Sequence, residues 1–263
     1  MSIVLAATWD PRGELSRLER LMPLLHELYK AIVIVVRDTG DVMIAERLTE
    51  AGVHRVVSAR AWAMGRVFAL EEAVTFDVTH LHYADLDRLI RWAETRPDEL
   101  RSTLLMLETV DVLMIGRTQQ AMKTHPEALQ ESEKLLNRTF AWLFGSYFDL
   151  PAGSKGFSRA AAQVLYDRRS MYDGLISDSV WPVLLHHAGF KLTPLLVDGL
   201  DWETADRYRD RAATSAEQGE AAAIYDADPG HWKYRLQLAN TIAFMGLSVW
   251  HNPRGAMESE EPS

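Results

Sequence analysis

Short apolar runs alternate with stretches of helical periodicity from residue 3 to residue 117, and this alternation narrows the possible folds more than anything else in the chain. Ile3 to Ala7 opens the series. Glu14 to Tyr29 follows, with Leu15, Leu18, Leu21, Leu25 and Leu28 at helical spacing. The run Ala31-Ile32-Val33-Ile34-Val35-Val36 is short and β-branched, as a strand buried on both faces should be. The same reading gives helices over 42–51, Ala61–Val74 and Leu100–Leu107, and strands over Val53–Val57, Val78–Tyr83 and Val110–Ile115. Strands that alternate with helices pair in parallel through right-handed crossovers. The expected class is α/β, a Rossmann-like, mainly parallel sheet flanked by helices.

Beyond residue 117 the pattern loosens. Glu127–Phe144 reads as a long amphipathic helix and Gly145–Gly156 as a loop. Helices are expected over 158–168 and 177–188, the second with Ser177 or Asp178 as N-cap, and a strand over Phe190–Val197. Trp202–Gly219 and Trp232–Trp250 complete a helical C-terminal region. Residues 1–252 read as one domain and Pro253–Ser263 as an acidic, disordered tail. A net charge of -9 argues against a nucleic-acid partner, which would need clustered Lys and Arg. The chain has no cysteine, hence no disulfide and no thiolate metal site. With no basic leader and no apolar run of about 20 residues, neither a secretory signal nor a membrane span is expected, and the expected compartment is the cytoplasm.

Parallel sheets bind ligands at the carboxyl ends of their strands, so the residues just after each strand matter most. Here they are Thr8-Trp9-Asp10, Arg37-Asp38-Thr39-Gly40-Asp41, Ala84-Asp85-Leu86-Asp87-Arg88 and Gly116-Arg117. Asp85 and Asp87 are two apart and would face one side of an extended backbone. Carboxylates so placed can offer oxygens to one Mg²⁺ or Mn²⁺, and such ions are often held by one or two carboxylates plus substrate phosphates. The structural alternative is that Asp85 caps a helix starting at Leu86, with Asp87 in its first turn.

Taken in order, these strand ends resemble the GT-A glycosyltransferases, especially the large family containing dolichol-phosphate-mannose-synthase-like enzymes. The likeness runs from residue 3 to residue 196. It is carried by Ala7-Thr8-Trp9-Asp10, Val36-Arg37-Asp38-Thr39-Gly40-Asp41, Gly65-Arg66-Val67-Phe68 and Tyr83-Ala84-Asp85-Leu86-Asp87. It continues through Ile115-Gly116-Arg117, Ser154-Lys155-Gly156-Phe157-Ser158-Arg159, and Asp178 through Gly189-Phe190-Lys191-Leu192. The chain departs from that family in lacking the usual paired acids after the second strand, with Arg37 in place of the first, and in having Asp10 where Asn is common; it also lacks a Gln-x-x-Arg-Trp segment, so a polymerising, membrane-coupled enzyme is not expected.

The resemblance implies a metal-dependent glycosyltransferase. It would move a sugar from a nucleotide-diphosphate sugar to the hydroxyl of a small-molecule, lipid or glycan acceptor. By position, Thr8 and Asp38 would border the base, and Arg66 and Arg117 would belong to the nucleotide-sugar site. Asp85 would touch ribose or metal, Asp87 would touch metal, and Asp178 would be the general base. Trp202 and Glu203, after the last strand, read as acceptor-pocket residues. The corresponding structural readings make Asp38 a turn acid, Arg66 a solvated helix residue, Asp178 an N-cap and Trp202 a core side chain.

Other motifs fail on context. Gly156-Phe157-Ser158-Arg159-Ala160 lacks the strong preceding strand of a nucleophile elbow. No Gly-x-Gly-x-x-Gly follows the first strand, and there is no Walker loop. His186-His187 has no third ligand at metal spacing. A sugar-phosphate nucleotidyltransferase should open with a Gly-rich loop and a Lys, which Thr8-Trp9-Asp10-Pro11-Arg12-Gly13 does not supply. A non-catalytic nucleotide-sugar-binding protein of the same fold is the remaining alternative.

Overall fold

The first two apolar runs become the middle of a sheet because they are apolar on both faces. β1 (Ile3–Trp9) is buried along its whole length, and β2 (Ala31–Arg37) along all but its last residue. The structure is a computed structural model that describes residues 1–40, 42–172 and 176–253, so Asp41 and the tail from residue 254 lie outside the described residues. The other strands are β3 (Arg55–Ala59), β4 (His80–Asp85), β5 (Val112–Arg117), β6 (Ser154–Ser158) and β7 (Leu192–Val197), in the spatial order β3-β2-β1-β4-β6-β5-β7. Neighbours pair in parallel except around β6, which runs antiparallel between β4 and β5. The result is an α/β architecture, a mainly parallel mixed sheet flanked by helices, with a helical C-terminal region.

Side-chain alternation along β1 divides the interior into two cores. Ile3, Leu5, Ala7 and Trp9 pack on one face with Leu18 and Leu25 of α1 (Leu15–Leu28) and Leu86 and Leu89 of α4 (Leu86–Thr95). Val4 and Ala6 pack on the other with Val67 and Leu70 of α3 (Gly65–Ala73) and Val180 and Leu184 of α9 (Ser177–His187). Each fully buried Val, Leu or Ile contributes about 1.5–3 kcal/mol of transfer free energy, which fixes the register of the central strands. α2 (Val42–Glu50), α5 (Pro97–Leu107), α6 (Gln119–Met122) and α8 (Arg159–Asp167) complete the flanks. α7 (Glu127–Phe144) and α9 form the bed for α11 (Pro229–His251), which follows α10 (Ser215–Asp226).

Three expectations are corrected. The Gly145–Gly156 loop ends in β6, whose Lys155 is buried and whose Gly156 faces Leu107, leaving no room for a side chain. Asp87 is not on extended backbone, because the strand stops at Asp85 and the helix begins at Leu86. The helix expected over Trp202–Gly219 is only a 3-10 turn at Glu203–Asp206, an irregular stretch, and α10 from Ser215. The helix restarts where Thr214 and Glu217 form a reciprocal capping box.

The irregular stretch between the 3-10 turn and α10 is a strap, residues 207–212, held at both ends by Arg91. The Arg91 guanidinium donates to Asp201 at 2.7 and 2.9 Å, to Asp206 at 2.7 Å and to the Ala213 carbonyl at 3.2 Å. Asp206 in turn accepts from the Ala213 amide at 2.8 Å and from Arg17 at 2.9 Å. In the strap, Tyr208 has a left-handed φ of 59°, and its amide donates to the Arg12 carbonyl at 2.7 Å.

Candidate active site

The carboxyl ends of β1 and β4 lie side by side, with Thr8 paired in register with Asp85. They open into a cavity of 310 Å³ at the sheet edge. Thr8, Asp10, Arg66, Asp85, Asp87, Asp178 and Glu203 line it, together with Trp62, Arg88, Arg207 and Arg235. The cavity thus draws on both ends of the described chain.

Asp85 is N-cap of α4 by position, yet its side chain makes no capping bond. Its carboxylate instead accepts from the Tyr83 hydroxyl at 2.5 Å, from Arg66 at 3.2 Å to each oxygen, and from Thr8 at 3.4 Å. Thr8 and Tyr83 also share a hydroxyl–hydroxyl bond of 2.8 Å. Arg66, in the first turn of α3, bridges Asp85 to Asp178, which it meets at 2.8 Å, and donates to Ser177 at 3.2 Å. Lys155 of β6 reaches the other Asp178 oxygen at 2.8 Å and the Leu150 carbonyl at 2.8 Å.

These contacts decide the charge state of Asp178. Burial alone would raise its carboxyl, but the flanking Arg66 and Lys155 cations hold it far below the usual carboxylate range. Both Asp178 oxygens are thus occupied by cations, whereas the general-base role expected of Asp178 needs one of them turned to an acceptor hydroxyl. The N-cap position belongs to Ile176, and Asp178 stands inside the first turn of α9, so it is not the N-cap that the spacing suggested.

Asp87 is the opposite case. Its carboxyl is pushed up to about 8 by burial and by repulsion from Glu203 and Asp85, with Arg88 opposing. One oxygen accepts from the Arg88 amide at 2.9 Å. The nearest cation to Glu203 is Arg88, whose Nε lies 3.6 Å from Oε2, and that buried oxygen accepts no hydrogen bond among the described residues. The acids on this wall are crowded, and Asp87 responds by holding its proton, which a bound cation would displace. Hard carboxylate oxygens with an orphaned lone pair suit a hard divalent cation. No three potential ligands are gathered to enclose a metal among the described residues. A cation here would need ligands from a bound diphosphate or water, as Mg²⁺ sites commonly do.

The sequence-derived set divides. Thr8, Arg66, Asp85, Asp87, Asp178 and Glu203 meet in the cavity. Asp38 sits at the same sheet edge but lines a separate depression of 110 Å³ with Thr39, Gly40 and Ser58. Its carboxylate accepts from the Gly40 amide at 3.0 Å and from Arg60 at 3.1 Å. Arg117 does not line the cavity. Its side chain is fully buried, bonded to Asp149 at 2.7 Å and to Glu133 at 2.5 Å, and ties β5 to α7. Trp202 is not in the cavity either, being buried against Ala205, Ala213 and Tyr225. Lys155, Tyr83, Arg207 and Arg235 were missed; only Lys155 and Tyr83 fell within segments that carried the resemblance.

No family model and no curated protein matches the chain. Among solved structures it is similar to a mycobacterial protein, at 15% identity and TM-score 0.47 over 86% of this chain and 74% of that one. It is also similar to the glucosyl-3-phosphoglycerate synthase of M. tuberculosis, at 14% identity and TM-score 0.42 over 86% of this chain and 79% of the other. A structure of the Mycobacterium tuberculosis enzyme in complex with Mn²⁺, uridine diphosphate and phosphoglyceric acid gives 14% identity and TM-score 0.41, over 89% and 78%.

Proposed function

We propose that the chain is a glycosyltransferase of the GT-A type, transferring a sugar from a nucleotide-diphosphate sugar to a hydroxyl acceptor with the help of Mg²⁺ or Mn²⁺. The observation that carries the reading is the Asp85–Leu86–Asp87 step from the end of β4 into α4, which opens with Thr8 and Arg66 into one cavity at the carboxyl edge of the sheet. The nucleoside would lie over the ends of β1 and β2, bordered by Thr8 and Asp38. The diphosphate would lie against Asp85 and Asp87, where Asp87 and Glu203 would hold the cation. When bound, the cation would supply countercharge to the diphosphate as it departs.

The chain's own residues do the rest. Arg66 and Arg88 present guanidinium forks to the same wall and suit phosphate oxygens. Asp178 and Lys155 fix Arg66 from behind, so Asp178 serves as a positioning residue. Glu203, expected at the acceptor, is reassigned to the cation because it faces Asp87 and Arg88. The closed ion pairs of Arg66 with Asp85 and Asp178 favour one second reading, a protein that binds nucleotide sugars without turning them over.

Calorimetry with UDP, GDP, ADP and dTDP, each with Mn²⁺ and with chelator, tests the donor site. At least one diphosphate should bind tenfold or more tightly with Mn²⁺, and Asp87→Ala should lose that gain. A panel with no binding, or equal affinities with and without metal, overturns the metal-bridged donor. Release of free nucleoside diphosphate from the matching nucleotide sugar, given an acceptor, separates transferase from binding protein.

A further inference from the structure

One wall of the cavity is an aromatic ring that no contact within the protein uses. Of the eight tryptophans, Trp62 is the one that lines it. Trp9, Trp92, Trp181 and Trp202 are buried, Trp232 donates to the Asp226 carbonyl at 3.0 Å, and Trp250 stacks on His186 with ring centroids 5.2 Å apart. Trp142 stands exposed on α7. Trp62 opens the 3-10 turn Trp62–Met64, which carries the chain from β3 into α3. Its indole rests against the core on the α3 face of the sheet but is not buried there. A Cβ added at Gly65 would lie 3.4 Å from two atoms of the six-membered ring of Trp62 and 3.6 Å from Cγ2 of Thr8. Indole and Thr8 thus flank one glycine, at the end of β1 over which the donor's nucleoside would lie. Among the described residues Trp62 Nε1 makes no hydrogen bond, and the ring meets no second aromatic ring and no guanidinium.

The polar groups that could read the edge of a base at this corner are already engaged. One Asp38 oxygen accepts from the Gly40 amide at 3.0 Å and the other from Arg60 at 3.1 Å. Asp10 is paired with Arg12 at 2.7 Å and with Arg37 at 3.0 Å. The Thr8 hydroxyl is shared between Tyr83 and Asp85. A base placed here meets a flat, open ring beside carboxylates that already hold cations. Such a ring discriminates little between edges. Every base has a π-face, so stacking tolerates base identity, and each stacked base gains on the order of tenfold or more in affinity. A bicyclic purine overlaps more of an indole than a pyrimidine does.

We propose that Trp62 is the platform on which the donor's base stacks, and that the site therefore tolerates the base, taking purine and pyrimidine nucleoside diphosphates alike with purines the tighter. This deepens the donor-site reading above and rests on it. That reading concerns the diphosphate and its cation, whereas Trp62 acts on the base alone, so a ligand without a base separates the two. Tyr234, the other aromatic side chain of the cavity, comes from α11 and not from the strand ends, and its ring lies 5.8 Å from the Arg235 guanidinium.

The test titrates the full chain calorimetrically, in Mn²⁺, with UDP, CDP, GDP, ADP and inorganic pyrophosphate, which keeps the diphosphate and lacks the base. In wild type the four nucleotides should fall within about thirtyfold of one another, with GDP and ADP the tighter pair. Trp62→Ala should weaken all four by about tenfold or more, purines most, and leave pyrophosphate within about twofold. Trp62→Phe, which keeps a smaller ring, should fall between Trp62→Ala and wild type. Nucleotide binding should also quench part of the tryptophan emission of wild type, and that part should be missing in Trp62→Phe. Thermal melts check that both variants are folded. A wider spread among the nucleotides, or pyrimidines as the tighter pair, would mean that the edge is read and would overturn the tolerance. Nucleotide affinity or quenching that ignores the substitutions would overturn the platform. So would a loss of pyrophosphate affinity equal to the loss for nucleotides, which would make Trp62 a structural support of the whole cavity. A wild-type chain that binds none of the five ligands would instead remove the donor reading itself.

Discussion

Asp178 has a cation at each oxygen, Arg66 and Lys155, both at 2.8 Å, and that decides what its substitution should do. Asp178→Asn would leave two buried cations short of one negative charge. Removing one partner of a buried pair typically costs about 3–5 kcal/mol, so denaturant unfolding should show a large loss at pH 7. A side chain that acted only as a base would lose rate and keep stability. The sign with pH follows from the lowered carboxyl. Stability from Asp178 is present above its unfolded value of about 3.9 and is lost as pH falls below it toward the folded value. Wild type should therefore lose stability faster than Asp178→Asn between pH 5 and pH 2, and parallel curves would refute the ion-pair role. Thr8, Arg66, Asp85 and Asp178 were legible because each stands at a strand end or opens a helix, and the topology gathers such positions. Arg117 stands at a strand end as well, but its partners Glu133 and Asp149 lie 16 and 32 residues further on. No local pattern reveals that they take it into the interior. Arg235 sits on a helix face that sequence periodicity treats as ordinary solvated surface.

Among the elements, the strands with unbroken apolar runs were readable and β6 was not. Its buried Lys155 and its Gly156 argue locally against a strand, and only the slot between β4 and β5, with Asp178 waiting for the lysine, makes it one. α4 had a readable signal in Leu86, Leu89, Ile90 and Ala93, all buried at helical spacing. The Thr214–Glu217 capping box likewise marked a helix start inside the single helix expected over Trp202–Gly219. The strap that replaces that helix makes a prediction of its own. Gly13 has φ of 93°, and a Cβ there would lie 2.9 Å from the Tyr208 Cα. Gly13→Ala should cost about 1–3 kcal/mol in thermal or chemical unfolding. It should also weaken UDP binding, since the strap carries Arg207 to the cavity wall. Tyr208→Asn, which suits a left-handed φ better, should be neutral or mildly stabilising. Unchanged melting of Gly13→Ala would mean that strap and loop do not touch in solution.

At the scale of the molecule, one sheet with a core on each face presents the cavity at a single edge, and the far side of that cavity is built by α11. No helix among the described residues is long and apolar enough to cross a membrane. α11 is also part of a core. Ile242 and Val249 are buried, the Ser179 hydroxyl donates to the Ile242 carbonyl at 2.6 Å, and a Cβ at Gly246 would collide with Phe140 and Ser179. Burying two such apolar side chains is worth about 3–6 kcal/mol, against a typical domain stability of about 5–15 kcal/mol. A chain stopped at Asp228 should therefore melt without a cooperative transition and bind hydrophobic dyes. A melt like that of the full chain would make α11 an appendage. The position of this helix in the chain also bears on synthesis. Thr8, Arg66, Asp85 and Asp178 leave the ribosome well before Arg235 has been translated. A substrate that needs both sides of the cavity cannot help the early part of the chain to fold, so the growing sheet must stand on its own packing, or on a chaperone, until α11 has been made.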